Sequence, residues 1–489
     1  MTLSVGLDVA LSSLSTTAEQ TSVVSRNVAA ANDAKATRKI ANLVTAPGGG
    51  VRIGSITRAS NQSLLDKMLN ATSTAAGQRA IVEALDRLDQ TIADPELDVS
   101  PAALVAKLAD ALQQYASGPQ DAIRARTAVA AAVDVANALN AATMTVQQTR
   151  AQADAGIADS VGHINTLLGR LETVNIEIVK GTRIGADVTD QLDTRDALLA
   201  ELSEEVGIRT VTRANNDMAI YTDSGVTLLD ISARSVTFDR TLAYLPGTVG
   251  NAVYADGVPI TGAGGMPIRS GRLVGHVAVR DNLAVTYQSQ LDEVARGLIE
   301  IFAESDQSAV PSLADAPGLF TYPGAPAVPA SGTTIPGLAG TIRVAASVDP
   351  DQGGDATLLR DGGIAGDPAY VYNASGGTGF DDRLQQLLTR FAEQRTFDGT
   401  TGLAQSMTVS GFASSSAAWL QEERRAAMSE RDYKDVLLQR SSEALSKVTG
   451  VNIDEEMTLL LDLERSYQAS TKLISTIDNM LQTLMAATG

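Results

Sequence analysis

The most constraining feature of this sequence is a narrow apolar seam in the stretch from Gly450 to Leu484. Apolar residues recur there at gaps built from threes and fours, which places them along one side of an α-helix. Gly450 ends the preceding helix, and Asn452 or Asp454 caps the new one. The seam residues are Ile453, Met457, Leu460, Tyr467, Ile474, Ile477, Leu481 and Leu484. A seam of this length needs a second helix to cover it.

A similar seam occupies the first thirty residues. Its members are Leu3, Leu7, Leu11, Leu14, Ala18, Thr21, Val24 and Val28. Two seamed helices at opposite ends of a chain can cover one another and close the chain into a hairpin. The alternative is that the last helix folds back on its own domain, and periodicity alone does not choose between the two.

The length and composition of the chain limit the number of domains and the classes of function that it can have. A chain of 489 residues is expected to form about two to four domains. It contains no cysteine, so disulfides, thiolate catalysis and all-cysteine metal sites are excluded. Its formal net charge of −19 argues against nucleic-acid and anionic-membrane partners, because binding phosphates needs a basic face.

Targeting signals are not evident in the sequence. The first basic residue is Arg26, so the amino end lacks the charged region of a signal peptide. No run reaches the roughly eighteen unbroken apolar residues of a membrane span. Taken alone, these features predict a cytoplasmic protein.

The internal pattern predicts helices interrupted once by strands. Helices are predicted from about 61 to 92, 101 to 117, 120 to 180 (one helix or two in register), 190 to 206, 281 to 305, 381 to 391 and 415 to 447. Short β-prone runs separated by turn residues lie at 208–211, 218–221, 226–229, 236–238 and 252–254. They predict a small antiparallel β-domain inserted into a helical one. A separate short strand is predicted at 51–55, between the first helix and the second.

Three domains follow from this pattern. Residues 1–60 and 446–489 form paired terminal coiled-coil helices, and residues 61–206 and 280–445 form an elongated helical-bundle domain with a loop-rich insert. Residues 207–279 form the β-domain. The expected fold is therefore mainly α with an inserted antiparallel β-module.

The sequence shows no group of residues in a spacing typical of catalysis, phosphate binding or metal binding. The glycines at 262–265 and 376–379 lack the lysine and the strand-to-helix context of a phosphate-binding loop. His163 falls on a helix and His276 in a predicted strand, far apart in sequence and without a ligand cluster. We therefore predict no catalytic residue, no metal site and no cofactor, and no enzyme.

Several local runs resemble one known family. They are Gly-Val-Asn-Ile-Asp-Glu-Glu at 450–456, Ser-Tyr-Gln-Ala-Ser at 466–470, Ser-Arg-Asn-Val-Ala at 25–29 (which includes Asn27), Asp-Thr-Arg-Asp at 193–196 and Ser-Gly-Arg-Leu-Val-Gly at 270–275. Together they resemble bacterial flagellar axial proteins, and among these the FlgK family of hook-associated proteins. The sequence departs from that family at 33–36, where Asp-Ala-Lys-Ala replaces the usual Thr-Pro-Gly-Tyr, which puts the turn after the first helix in question.

The resemblance implies a function. The family joins hook to filament, leaves the cell unfolded without a cleaved signal peptide and assembles as a ring through its terminal helices. Implied partners are other copies of the chain, the hook protein, a second hook-associated protein, and an export chaperone on the last helix. The implied assembly interface comprises Leu3, Leu7, Leu11, Leu14, Val24, Asn27, Val28, Ile453, Met457, Leu460, Tyr467, Ile474, Ile477, Leu481 and Leu484.

The Asp-Thr-Arg-Asp run is expected to be structural. Charge-assisted hydrogen bonds from Arg195, with Asp193 and Asp196 beside it, would fix helix packing. Alternatives to the adaptor function are another flagellar axial protein, such as the hook protein, whose terminal signatures are similar, and a helical-scaffold enzyme. A helical adhesin or receptor would need a membrane span.

Overall fold

The structure is a computed structural model that describes residues 3–33, 35–46, 49–92, 99–324 and 327–488. In these residues the α-helices are α1 Leu3–Ala30, α2 Gln62–Ile92, α3 Pro101–Ala116, α4 Ala122–Arg183, α5 Thr189–Glu205, α6 Arg272–Ala278, α7 Ala284–Ile301, α8 Leu358–Asp361, α9 Asp382–Ala392, α10 Val409–Thr449 and α11 Ile453–Thr488. The predicted class, mainly α with an inserted antiparallel β-region, is confirmed.

The strands are short and antiparallel throughout the described residues. They are β1 Lys39–Thr45, β2 Val51–Arg58, β3 Ile208–Thr212, β4 Met218–Thr222, β5 Thr227–Leu229, β6 Val236–Phe238, β7 Val253–Ala255, β8 Val258–Pro259, β9 Phe320–Thr321, β10 Arg343–Val344, β11 Arg395–Thr396 and β12 Ser406–Met407. The inserted region holds two three-stranded sheets, in the orders β3-β4-β5 and β6-β7-β8.

Helix α4 is the longest helix in the described residues, and both large apolar cores pack along it. The run predicted as one helix or two is a single helix of 62 residues, about 90 Å long at 1.5 Å per residue. Asp121 caps its start by accepting hydrogen bonds from the amides of Ile123 and Arg124. One 18-residue window of α4 is apolar enough to cross a membrane by composition, but 44% of that window is buried inside the protein.

Two large apolar cores lie along α4 in the described residues. Leu139 and Val146 in its first half pack in a core shared with α3, α7, α9 and α10. Ile157 and Leu168 in its second half pack in a core shared with α5 and the β-region. The β-region is further fixed by buried Asp154, whose carboxylate accepts hydrogen bonds from Arg280 and Tyr244.

The exit from the β-region differs from the sequence prediction. The helix expected to begin near 281 begins at Arg272, and a π-helical stretch, Val279–Leu283, joins α6 to α7. His276 therefore lies in a helix, and its assignment to a strand is wrong. Tight packing of α6 on α2 and α4 selects the helix.

A buried carboxylate in α7 leads to a prediction about pH. Asp292 accepts hydrogen bonds from the backbone amides of Gly337 and Ala339, at 2.8 and 2.9 Å. Burial raises the pKa of Asp292 to about 6, although these hydrogen bonds oppose the shift. Protonation is therefore easier in the folded than in the unfolded chain. The resulting stability is fully present below about pH 4 and is lost as the pH rises through about 6.

We expect the free energy of unfolding to gain up to about 3 kcal/mol from Asp292 as the pH falls from 7 to 4. Urea unfolding of the parent and of Asp292→Asn across this range isolates the contribution. The difference between the two proteins should change with pH in that window. A constant difference would contradict the raised pKa.

Candidate functional site

The terminal helices α1 and α11 pack antiparallel along their length. The Asn27 amide donates to the Glu456 carboxylate at 3.0 Å, and the hydroxyls of Ser13 and Ser470 lie 3.0 Å apart. Gly6 lies against Ile477, since a Cβ added to it would be 3.5 Å from Ile477 Cδ1. Steps of fourteen and then seven residues separate these contacts on both helices, which is a heptad register.

The predicted seam residues divide into three groups by burial. Val24 and Asn27 are buried. Leu3, Leu7, Leu14, Val28, Leu460, Ile474, Ile477 and Leu481 are partly buried. Leu11, Ile453, Met457, Tyr467 and Leu484 are exposed. One side of each helix is therefore covered by the other helix, and apolar residues remain on the outside.

A hairpin formed by β1 and β2 lies along α1. The Thr16 and Ser12 hydroxyls donate to the Val51 carbonyl at 2.7 and 3.0 Å, near the tip of the hairpin. At its base, Asn27 bonds both the amide and the carbonyl of Lys39, each at 2.9 Å. The sequence suggested only a short strand at 51–55. Residue Ala34 of the questioned 33–36 turn lies outside the described residues.

Glu456 joins the hairpin, α1 and α11 at one point. Its carboxylate is fully buried and accepts from Arg38 Nε at 2.6 Å as well as from Asn27. The Arg38 amide in turn donates to the Thr449 carbonyl at 2.8 Å. The Glu456 carboxylate thus accepts hydrogen bonds from two donors, one of them charged, and these offset the cost of burying it. This explains why an acidic residue stands within an apolar seam.

Asp193 connects the hairpin to α5. Its carboxylate accepts from Lys39 Nζ at 3.1 Å, Arg58 Nη1 at 2.9 Å and the Thr37 hydroxyl at 2.6 Å. Burial opposes the charge of Lys39, but hydrogen bonds and charge from Asp190 and Asp193 outweigh it and raise the lysine pKa. The interaction ties the terminal layer (α1, α11 and the hairpin) to the helical body.

Asp196 and Arg195 point to different neighbours. Asp196 pairs with Arg58 Nη2 at 2.7 Å. Arg195 instead donates to the Asn216 carbonyl at 2.6 Å and to Asn175 Oδ1 at 3.3 Å, so it links α5 to α4 and the β-region. Burial lowers the pKa of Arg195 to about 10, which leaves it protonated at neutral pH. One turn of α5 thus anchors two separate parts of the fold.

The two histidines share one cleft, which sequence reasoning missed. His163 of α4 and His276 of α6 line a cavity of about 370 Å³ with Glu83 and Asp159. His163 Nδ1 lies 3.6 Å from Glu205 Oε1. Within the part of the chain that the structure describes, no group of three or more His, Asp or Glu side chains is arranged to hold a metal ion.

Two family models match the chain. The model "Flagellar hook-associated protein FlgK helical domain" matches residues 85–318. The model "Flagellar basal body rod FlgEFG protein C-terminal" matches residues 443–487, which cover the end of α10 and nearly all of α11. The first match includes Asp193, Arg195 and Asp196.

Curated relatives carry the same type of name. The chain is 22% identical over 342 residues to "Flagellar hook-associated protein 1" of Escherichia coli K12, covering 65% of this chain and 60% of that protein. It is 23% identical over 201 residues to the Salmonella typhimurium protein of the same name, covering 41% of this chain and 35% of that protein. The chain therefore spans at most about 60% of these relatives' length.

One solved structure is similar in part. It is described as the flagellar hook junction protein FlgK from Burkholderia pseudomallei. The match has a TM-score of 0.42 and 18% sequence identity, and it covers 53% of this chain and 46% of that chain.

Proposed function

We propose that this chain is a FlgK-type structural adaptor at the hook–filament junction of the bacterial flagellum, a role supported by the match of residues 85–318 to the FlgK helical domain and by the names of its curated relatives. The observation that supports this role is the terminal layer, in which α1 and α11 pair in heptad register and leave apolar residues outside. Monomeric proteins seldom expose long apolar stripes unless another surface covers them. Neighbouring copies in an assembly would supply that surface.

In this proposal the terminal layers of several copies pack side by side in a ring. Leu11 of α1 and Leu473 of α11 are 47% and 57% exposed in the single chain. Burying a leucine side chain stabilises by about 1.5–3 kcal/mol, so a few such residues on each copy offset the cost of association. The helical body and the β-region would then lie outside the ring.

Export and delivery belong to the same proposal. The chain would leave the cell unfolded without a cleaved signal peptide and order its terminal helices on assembly. Before assembly, a dedicated chaperone would cover the apolar side of α11, since an amphipathic helix binds an apolar groove in this way. The hook protein and a second hook-associated protein would contact the ring from its two sides.

A second candidate is another flagellar axial protein, such as a hook or rod protein. The match of residues 443–487 to a model of rod-protein carboxyl ends supports it. The match of residues 85–318 to the FlgK helical domain favours the junction adaptor. The two candidates differ in where the protein sits, because a hook or rod protein would be needed before any hook forms.

We expect cells that lack this chain to form hooks without filaments, and the parent chain to restore filaments and swimming. A chain carrying Leu11→Asp and Leu473→Asp should fold but fail to restore swimming, because both exposed leucines would face a neighbour. Swimming zones and electron microscopy of hooks measure this. The matched control, Val211→Asp with Ile231→Asp, changes two exposed residues of the β-region and should keep most swimming. Loss of hooks in the deletion would instead indicate the second candidate.

A further inference from the structure

The hairpin and the terminal helices carry opposite charge. Residues 35–60 contain five basic side chains and no acidic one, in a chain whose net charge is −19. Helix α11 carries six acidic and two basic residues. A basic element among acidic helices is suited to ion pairing with them, both within one copy and between copies.

Four of the five basic side chains are paired inside the chain. Lys35 pairs with Glu201, and Arg38 with Glu455 and Glu456. Lys39 and Arg58 pair with aspartates of α5. Arg52 is exposed and forms neither an ion pair nor a side-chain hydrogen bond with any residue that the structure describes.

The outward face of the hairpin combines Arg52 with apolar side chains. Successive residues of a strand point to opposite faces, so Ile40 and Val44 point away from the face of the Lys39 side chain, which pairs with aspartates of α5. Ile40 and Val44 are 41% and 39% exposed. Val44 stands opposite Arg52 in the strand register and also lies over Gly54. A two-stranded hairpin is only marginally stable by itself, so an open apolar face favours a further contact.

Helix α11 carries a stripe of matching chemistry. Met457, Leu461 and Glu464 follow at spacings of four and three, which aligns them on one side of the helix. Met457 and Leu461 are 44% and 52% exposed. The Glu464 carboxylate accepts a hydrogen bond from Gln468 at 3.2 Å and has no cationic partner among the described residues.

The hairpin and the interval of α11 beside it have similar lengths and lie at the same height along α1. The hairpin runs along α1 from the level of Asn27 to that of Ser12. On α11 this interval corresponds to Glu456 through Ser470, because these residues lie against Asn27 and Ser13. Seven strand residues span about 23 Å and fourteen helical residues about 21 Å.

We infer that the outward hairpin face of one copy (Ile40, Val44 and Arg52) docks on the α11 stripe of a second copy (Met457, Leu461 and Glu464). This inference rests on the proposed ring, in which neighbours are related by rotation and faces at one height meet. Arg52 then pairs with Glu464 across the interface, and the aliphatic side chains cover each other. The contact is head-to-tail, since each copy offers both faces.

The absence of cysteine from the sequence makes the contact testable by cross-linking. Flagella are isolated from cells that carry Val44→Cys and Leu461→Cys in one chain, and a short bismaleimide is added. We expect a ladder of covalent multimers of this chain. Cells that make the two single-cysteine chains together should give dimers and no ladder, because each copy then has one linking site. The matched control, Ile231→Cys with Leu461→Cys, should stay monomeric.

A charge swap tests the ion pair independently. Arg52→Glu should lower swimming and cross-linked yield at least about threefold, and adding Glu464→Arg should restore at least half of the loss. The thermal unfolding midpoint of the purified Arg52→Glu chain should equal that of the parent, because Arg52 has no partner among the residues that the structure describes.

Each outcome decides a specific point. Junctions that contain the double-cysteine chain but yield no ladder would overturn the hairpin contact and leave the proposed function standing. A cross-linked product that contains a different flagellar protein would also overturn it. Absence of the parent chain from isolated flagella would refute the proposed function and this inference with it.

Discussion

Asp193→Ala is expected to lower the free energy of unfolding by about 3 kcal/mol and to release the hairpin from the helical body. The carboxylate is the shared partner of Lys39 and Arg58, whose side chains are only 7% and 10% exposed. Removing one member of a buried ion pair costs about 3–5 kcal/mol, because the remaining charge stays buried. Asp190 and Asp196 retain one contact each to these cations, which places the expected value at the lower end.

Hydrogen exchange measures the release of the hairpin in Asp193→Ala at the level of individual segments. Amides of residues 39–45 and 51–58 should exchange faster in Asp193→Ala than in the parent, while those of α4 should keep their protection. Asp190→Ala is the matched control. Its carboxylate is 69% exposed and also pairs with Lys39, so we expect a cost below about 1 kcal/mol. Equal costs for the two variants would show that Asp193 has no special role in holding the hairpin.

Periodicity predicted the terminal helices but only part of the face by which they meet, since Asn27 and Ile477 lie at close contacts between them. The seam was chosen from apolar residues, which favoured Leu7, Leu11 and Leu14. The observed close contacts use Gly6 and Ser13, which carry little hydropathy signal. Small residues permit close approach of two helices, and the leucines are left on an adjacent, more open side. The sequence therefore indicated the apolar surface available to neighbours more directly than the contact within the chain.

Long-range ion pairs were the other feature of the site that the sequence could not predict. Asp193 stood out as part of a run, yet its partner Arg58 lies 135 positions earlier in the chain. The hairpin that carries Arg58 was only half recognised, because the apolar residues of β1 are exposed or only partly buried and its one buried residue is Lys39. Local propensity describes such a strand poorly, since its stability comes from partners in α1 and α5.

Gly275→Ala is expected to destabilise the protein by about 2–3 kcal/mol, because α6 crosses α2 with backbone against backbone. A Cβ added to Gly275 would lie 2.3 Å from the carbonyl oxygen of Gly77 and 2.9 Å from Ala80 Cβ. A Cβ on Gly77 would in turn lie 2.8 Å from the Gly271 carbonyl oxygen. Neither helix can yield without moving its partner, and overpacking of this kind typically costs 1–3 kcal/mol.

Glycine-to-alanine substitutions within α4 supply a control, because there we expect stabilisation instead of destabilisation. Gly162 and Gly169 lie within α4, and a Cβ added to either would have no neighbour within 4 Å. Alanine at these sites should stabilise by up to about 1 kcal/mol, since it lowers the entropy lost on folding without a clash. Urea unfolding of the three variants measures both signs. If Gly275→Ala were stabilising as well, α2 and α6 would have to separate at no cost, which contradicts the backbone contact at this crossing.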